Sequence, residues 1–377
     1  MEVEELAAEL IRFNTEVPPG NEEACASFLR DYFLDLRIEP SEVLLHRFAE
    51  NRANLIVRVG PEGQAGLLLS GHIDVVPAGD LSHWDSPPFE PKIRDGKLYG
   101  RGASDMKSAI AAFVKAIENH KSAKLKRGII FVATAGEEIG FDGLRALISD
   151  GKIRTRDAMY GIIGEPTDLK VVRGHKGGTV FRITFHGKSA HSSRPELGIN
   201  AVENASRFIL EVAELRERLR GVVDPELGAS VISTTMINGG TKDNVIPEKC
   251  QIIVDCRRLP SHSDAYIRAE LDKITEEIKK ITPTLNVIIE VKCNYNALNI
   301  PRDHPLVVMA ERIVGHKSGV APYGTEGPIY HELEIPTIIL GPGRIENNIH
   351  APNEYIEIKQ LRDAVKVYSE FVRSVCV

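Results

Sequence analysis

Leu67-Leu-Leu-Ser-Gly-His-Ile-Asp74 is the segment from which the fold can be predicted. Its apolar run has the length of a β-strand and ends in Ser-Gly. Side chains two positions apart in an extended segment point to the same side, so His72 and Asp74 face one cleft together. A metal-bound histidine is commonly held through its other ring nitrogen by a carboxylate. The pair therefore predicts one corner of a metal site, whose remaining ligands must come from other parts of the chain.

The composition limits the class of protein. The chain has 377 residues, 42% hydrophobic and 27% charged, with a net charge of -6. A chain of this length is longer than those that usually fold around one hydrophobic core, so we expect two domains. Interspersed charges argue against nucleic-acid binding, and no apolar run approaches the roughly 20 residues that cross a bilayer. The acidic start of the chain is unlike a signal peptide, and five scattered cysteines suit a reducing compartment. We expect a cytoplasmic protein without nucleic-acid or membrane partners.

Four apolar strands are predicted in the first half of the chain, at Asn54–Val59, Ala65–Ser70, Gly128–Ala135 and Met159–Ile163. Between them, a loop rich in Pro, Asp and Gly is predicted over Pro77–Arg101. Histidine or acidic residues follow three of the strands, and open α/β sheets place their sites at that edge. An α/β fold is therefore predicted.

The pattern changes after residue 176, where alternating strands and amphipathic helices follow in the order β-α-β-β-α-β. This order is typical of the ferredoxin-like split unit, a compact α+β domain. We predict a first domain over residues 1–176 and 295–377, and an inserted second domain over residues 177–294.

Five residues near strand ends are candidate metal ligands: His72, Asp105, Glu138, Glu165 and His350. Each alone is equally explained by a solvated carboxylate or a locally hydrogen-bonded histidine. One sheet edge would bring all five together, and their donors suit zinc, or less selectively cobalt or manganese. Five ligands suggest two metals about 3.5–4 Å apart that share one carboxylate. A water between two such ions is acidified to a hydroxide that attacks a carbonyl.

Glu137 adjoins the candidate ligand Glu138, and both side chains cannot easily serve the same metal. A neighbour turned toward the bridging water would act as general base and pass its proton to a leaving amine. The alternative for Glu137 is a residue of a helix N-terminus that interacts with the helix dipole.

Five blocks occur in an order that resembles a known metallohydrolase family: Ser70–Asp74, Gly100–Lys107, Thr134–Gly140, Gly164–Thr167 and Gly341–Glu354. The family contains acetylornithine deacetylase, succinyl-diaminopimelate desuccinylase, aminoacylase and carboxypeptidase G. The resemblance spans nearly the whole chain. It implies a zinc-exopeptidase-like catalytic domain, with a central mixed sheet flanked by helices.

The resemblance also implies a role for each candidate ligand. His72, Asp105 and Glu165 would bind one zinc, and Asp105 would bridge to a second zinc held by Glu138 and His350. Two divalent ions per subunit are therefore expected, with cobalt as the alternative metal.

Three further features of the metal site follow from the resemblance. Asp74 would orient His72, and Glu137 would be the general base. The peptide bond after the bridging aspartate, here Asp105–Met106, would be cis, which is costly and occurs at sites that hold it in place.

The inserted domain carries further matches. Gly187–His191 resembles the block whose histidine reaches the neighbouring subunit's active site and stabilises the oxyanion. Asn244 and Arg257 match substrate-contacting positions, and a guanidinium suits bidentate capture of a carboxylate. Their alternatives are a turn-capping asparagine and a surface arginine. The resemblance implies that this domain is a lid and mediates a homodimer.

The loop Tyr323–Pro328, with Gly324 and Thr325 as candidate substrate contacts, looks more like the acetylornithine deacetylase version than the desuccinylase version. The expected reaction is cleavage of the amide of an N-acyl amino acid, of the N-acetylornithine or N-succinyl-diaminopimelate type. Alternatives are a dipeptidase or carboxypeptidase on the same centre, and a catalytically silent binding protein. An oxidoreductase is disfavoured because no glycine-rich dinucleotide motif follows the first strand.

Overall fold

The computed structural model describes residues 1–36, 38, 40–63, 66–346 and 348–377. The chain divides into two compact units. The first contains Met1–Gly174, Ile300–Gly319 and Thr325–Val377, and the second contains His175–Asn299 and Val320–Gly324. Ala65 of the predicted strand Ala65–Ser70 and Asn347 of the block Gly341–Glu354 lie outside the described residues. The catalytic, lid and dimerisation roles of the two domains stay predictions.

The helices are amphipathic, and their apolar faces are buried. The α-helices are α1 Val3–Arg12, α2 Glu23–Asp35, α3 Lys107–Glu118, α4 Asp142–Ser149, α5 Ala201–Leu219, α6 Asp264–Ile281, α7 Pro305–Val314, α8 Gly327–Glu332 and α9 Ile358–Cys376. Among the described residues, no helix combines the length and the apolarity that a membrane span requires.

The strands range from two to ten residues. They are β1 Pro40–Ala49, β2 Arg52–Val59, β3 Gly66–His72, β4 Lys92–Arg94, β5 Lys97–Tyr99, β6 Ile129–Thr134, β7 Ala158–Ile163, β8 Val172–His175, β9 Gly177–His186, β10 Ala190–His191, β11 Val223–Asp224, β12 Gly228–Ala229, β13 Val231–Gly239, β14 Val245–Ile246, β15 Lys249–Arg258, β16 Asn286–Tyr295, β17 Leu298–Asn299, β18 Gly319–Ala321, β19 Thr337–Ile339 and β20 Tyr355–Glu357.

The first unit is built on a mixed sheet with strand order β1-β2-β6-β3-β7-β19-β8. Its four central strands, β6, β3, β7 and β19, run parallel, and every residue of β3 and β6 is buried. Helices α1, α3 and α9 pack together, and α3 and α9 also contact β3. The predicted α/β fold with a central mixed sheet flanked by helices is confirmed.

Two features of the first unit differ from the sequence prediction. The predicted loop Pro77–Arg101 contains β4 and β5, which pair as a hairpin, and β20 joins them in a three-stranded sheet. Asp95 and Gly96 form the two-residue turn, both with positive φ, which is the conformation that Asp-Gly favours. Strand β1, which pairs with β2, was not predicted, because polar residues interrupt its apolar pattern.

The second unit has a four-stranded antiparallel sheet with the order β13-β15-β9-β16. Alternate residues of the central strand β9, Phe181, Ile183 and Phe185, are fully buried in a core that includes α5 and α6. Phe185 packs edge-on against Phe208 of α5, with ring centroids 5.5 Å apart. This order of strands and helices confirms the predicted ferredoxin-like unit.

Candidate metal centre

The candidate ligands follow the carboxyl ends of the four parallel central strands. His72 ends β3, Glu137 and Glu138 follow β6 in a short 3-10 turn, and Glu165 follows β7. His350 lies in the loop that follows β19. Since parallel neighbours end at one edge of a sheet, the topology brings residues that are far apart in sequence to one place.

Asp105 lies between two groups of ligands. Its Oδ1 is 3.2 Å from Nε2 of His72, which is also 3.6 Å from Oε1 of Glu165. Its Oδ2 is 3.2 Å from Nε2 of His350, which is 3.1 Å from Oε1 of Glu138. Each oxygen of this buried carboxylate therefore faces one histidine–carboxylate pair, as a shared ligand requires.

The loop before α3 holds Asp105 in place. Gly102 has φ +84°, and a Cβ there would lie 2.8 Å from a methyl carbon of Val75, so this position requires glycine. The Asp105–Met106 peptide is cis, as expected from the resemblance.

The donors of this cluster fit two divalent cations. Ligand atoms lie within 4.8 Å of one another in three groups: His72 with Asp105 and Glu165, Asp105 with Glu138 and His350, and His72 with Glu137 and Glu138. Imidazole nitrogens and carboxylate oxygens suit zinc and related metals. Because the first two groups share Asp105, the described residues can hold two cations at once.

The crowding of acidic groups perturbs their ionisation. Burial raises the pKa of Glu137 and Glu165 well above its ordinary value, and neighbouring carboxylates reinforce the rise. Hydrogen bonds to Asp105 and Glu138 raise the pKa of His350 to about 10. Protons therefore balance the buried negative charge in the absence of cations, and a bound cation would displace them.

Asp74 contacts His72 differently from the expectation. Nδ1 of His72 is 3.0 Å from the main-chain oxygen of Asp74 and 3.7 Å from its carboxylate. The fully buried carboxylate instead accepts the main-chain N–H groups of Glu137 and Glu138, each at 3.1 Å. Asp74 thus holds His72 through its carbonyl and the Glu137–Glu138 turn through its carboxylate.

His191 and Asn244 lie close together in the second unit. Strand β10 pairs with β14, and the N–H of Ser192 donates to the main-chain oxygen of Asn244 at 3.0 Å. Nδ1 of the exposed His191 accepts the N–H of Ser193 at 3.1 Å. A neutral imidazole that accepts at Nδ1 carries its proton on Nε2, which is a donor.

The other candidate substrate contacts already have partners. Arg257 donates to both carboxylate oxygens of Asp255, at 2.9 and 3.2 Å, and to the hydroxyl of Tyr295. A Cβ on Gly324 would lie 2.2 Å from the Tyr295 ring. Thr325 is fully buried, and its hydroxyl accepts the N–H of the first residue of α8 at 3.1 Å. Substrate contacts by Arg257, Gly324 and Thr325 stay predictions.

Two buried glutamates near the cluster were not singled out from the sequence. Glu326 accepts the hydroxyl of Thr134 at 3.1 Å, and burial raises its pKa to about 7. Glu354 is bonded to the segment that carries Asp105. Both stand inside segments that the resemblance had marked, but only the fold shows that their carboxylates point inward.

A mixed sheet whose parallel strands end in two adjoining histidine–carboxylate groups can hold two divalent cations. Residues 68–374 match peptidase family M20/M25/M40, and the chain belongs to this family, which makes it a metal-dependent hydrolase. The family suspected from the sequence blocks is therefore confirmed.

One similar sequence supports the family assignment, and two solved structures share the fold. The chain is 33% identical over 353 residues to acetylornithine deacetylase of Shigella sonnei (strain Ss046), covering 93% of this chain and 90% of that protein. The metallo-carboxypeptidase Sso-CP2 of Sulfolobus solfataricus has a similar fold, with TM-score 0.81, 19% identity and coverage of 99% of both chains. A tripeptidase of Staphylococcus aureus has TM-score 0.78 at 23% identity, covering 99% and 97%.

Proposed function

We propose that the protein is a dinuclear metal-dependent amidohydrolase that cleaves the amide bond of an N-acyl amino acid. The observation that carries the proposal is the bridging position of Asp105, whose two oxygens each lie 3.2 Å from a different histidine nitrogen. The similarity to acetylornithine deacetylase favours an N-acetylornithine-type substrate over an N-succinyl-diaminopimelate-type one.

Five side chains would hold the cations. His72, Asp105 and Glu165 form the first site, and Asp105, Glu138 and His350 form the second. Zinc suits these donors, and cobalt is the alternative. Two divalent cations held there would polarise the amide carbonyl and acidify a water.

Glu137 would move the proton. Its main chain is fixed by the bond to Asp74, and its carboxylate belongs to the same cluster as His72 and Glu138. A carboxylate in this position can accept a proton from a water and pass it on. Glu137 takes a proton from the attacking water, whose oxygen bonds to the amide carbon. It then gives the proton to the amide nitrogen as the C–N bond breaks, and the second proton of the water also passes to the amine, so the products are a carboxylate and an ammonium group.

His191 would stabilise the negative charge on the carbonyl oxygen. Because its Nδ1 accepts a main-chain N–H, its Nε2–H remains as a donor, and a donor aimed at a developing oxyanion contributes about 2.7–4 kcal/mol. Asn244 beside it, and Arg257 with Gly324 and Thr325, would bind the amino-acid portion of the substrate.

The second unit would form a homodimer. Met236 and Ile237 of the edge strand β13 are 66% and 52% exposed, which suits coverage by a second copy of the chain. Mixing His191→Ala subunits with Glu137→Ala subunits tests whether His191 acts across subunits. Recovered activity supports a shared site, and no recovery after confirmed subunit exchange contradicts it.

The experiment that tests the function is a substrate screen with zinc- and cobalt-loaded protein on acetylornithine, succinyl-diaminopimelate and dipeptides. We expect turnover of an N-acyl amino acid, and Glu137→Ala should retain both metal equivalents while losing turnover. Full activity in this variant would refute the role of Glu137. A wild-type protein that binds no stoichiometric metal would refute the function itself and favour a silent binding protein.

A peptidase is the second candidate function, because the family that the chain matches is a family of peptidases. Hydrolysis of a peptide bond would use the same protein groups, acting on the same carbonyl and nitrogen atoms of an amide. Turnover of dipeptides without turnover of either N-acyl amino acid would favour this candidate.

A further inference from the structure

The Glu354 carboxylate accepts hydrogen bonds from the segment that carries Asp105, the ligand shared by the two sites. Its side chain is 1% exposed, and its Oε1 accepts the N–H groups of Ser104 and Asp105 at 2.8 and 2.9 Å. Its Oε2 accepts the N–H of Gly102 at 3.1 Å and Nη1 of Arg101 at 2.7 Å. Four donors from one five-residue segment therefore converge on a single carboxylate that belongs to none of the ligand groups.

Arg101 supplies the charge that keeps this carboxylate in place. It is 2% exposed, and its guanidinium lies over the Trp84 ring, 5.2 Å from the centroid. Its Nη1 and Nη2 donate to the main-chain oxygens of Ala351 and Pro77, each at 3.3 Å. Burial raises the pKa of Glu354, and the Arg101 charge opposes this rise. Removing either partner would leave the other buried without its counter-charge.

Glu354 also links the loop that carries His350 to the segment before Asp105. Glu354 follows His350 by four residues, and its main-chain oxygen accepts the N–H of Gly100 at 2.9 Å. Next to it, the side-chain oxygen of Asn348 accepts the N–H of Tyr355 at 2.9 Å, which closes the loop around His350. The segments of Asp105 and His350 are thus tied together at Glu354.

We propose that Glu354 is a positioning residue that holds Asp105 and the His350 loop in register for the second cation. The inference rests on the proposed two-cation site. The other two ligands of the first site are both buried: His72 ends the fully buried strand β3, and Glu165 follows β7, whose last three residues are buried. The second site depends instead on Glu138 in a short turn and on His350, whose side chain is 48% exposed. Loss of Glu354 therefore weakens binding of the second cation more than binding of the first.

The test is calorimetric titration of the metal-free full-length protein with zinc, repeated with cobalt while its absorption spectrum is followed. We expect Glu354→Gln to bind the first equivalent as the wild type does and the second about 10–100-fold more weakly, the usual effect of removing an outer-shell partner. Glu346→Gln, an exposed glutamate of the same loop, is the matched control and should bind both equivalents normally.

Glu354→Asp is a second variant, in case Glu354→Gln does not fold. It keeps the negative charge opposite Arg101 but withdraws the carboxylate from the N–H groups of Ser104 and Asp105. It should fold when metal-free, with a lower melting temperature because two buried N–H groups lose their acceptor, and still lose second-site affinity. Normal binding of both equivalents by folded Glu354→Asp, or equal weakening of both, overturns the inference alone. Fewer than two equivalents in the wild type overturns the proposed function and the inference with it.

Discussion

Asp74→Asn is the substitution that most directly separates the two contacts of Asp74. Each of its carboxylate oxygens accepts one main-chain N–H, from Glu137 and Glu138, at 3.1 Å. Asparagine keeps one acceptor and turns its NH2 toward the other N–H, so one main-chain donor loses its acceptor and the new NH2 has none, which leaves two donors unsatisfied. Each unsatisfied donor costs about 1–3 kcal/mol, which gives about 2–6 kcal/mol for the substitution.

This cost falls on the turn that carries Glu137, the proposed general base. We expect faster amide hydrogen exchange at Glu137 and Glu138 in the metal-free variant, because their N–H groups lose a carboxylate acceptor. The bond from the His72 ring to the main-chain oxygen of residue 74 should persist, so the Nδ1–H signal of His72 seen by nitrogen NMR should not change. Asp80→Asn is the control, because Asp80 also accepts a main-chain N–H but is exposed.

The result that would refute this reasoning is a changed His72 Nδ1–H signal with unchanged exchange at Glu137 and Glu138. That outcome would mean that the Asp74 carboxylate acts on the histidine, at a distance now 3.7 Å, and not on the turn.

Two other substitutions test buried charges of the first unit. Arg52→Met should destabilise the protein by about 3–5 kcal/mol, because it leaves the fully buried Glu22, bonded at 2.7 Å, without its partner. Urea unfolding measures this loss, and a second substitution, Glu22→Gln, should recover part of it; equal stability of single variant and wild type would contradict the pairing. Glu326 keeps its proton in the folded state up to pH about 7, against 4.5 ordinarily, so wild-type stability should fall as pH rises through that window. Glu326→Gln should remove this fall, worth about 3 kcal/mol, and an identical pH profile in both proteins would count against the buried carboxyl.

The candidate ligands could be singled out from the sequence because each stands close to a recognisable strand or glycine turn. His72 and Glu165 directly follow apolar runs, and the helical stripe after Asp105 marks the start of α3. The order of the strands was not predictable in this way. That β19 lies beside β7, and so brings His350 to the same edge, depends on pairing between residues more than 170 positions apart.

The supporting residues escaped prediction for a different physical reason. Glu354 acts on main-chain N–H groups about 250 positions earlier, and no side-chain pattern records a bond to the main chain. The carboxylate of Asp74 likewise binds N–H groups of the Glu137–Glu138 turn, although the His-x-Asp spacing suggested the histidine ring. Spacing in an extended segment tells which side a carboxylate faces, but it does not tell which donor it will meet there.

The parallel order β6-β3-β7-β19 has a consequence for metal binding while the chain is synthesised and folds. Glu165 and His350 are candidate ligands on either side of the stretch that includes residues 175–299 of the second unit. During synthesis from the N-terminus, the first group of candidate ligands is complete once Glu165 has been made, whereas the second also needs His350, which is made 185 residues later. A cation that binds only the finished arrangement shifts the folding equilibrium toward it by mass action. Metal supply would therefore act late, as a cross-link between the first and last parts of the polypeptide.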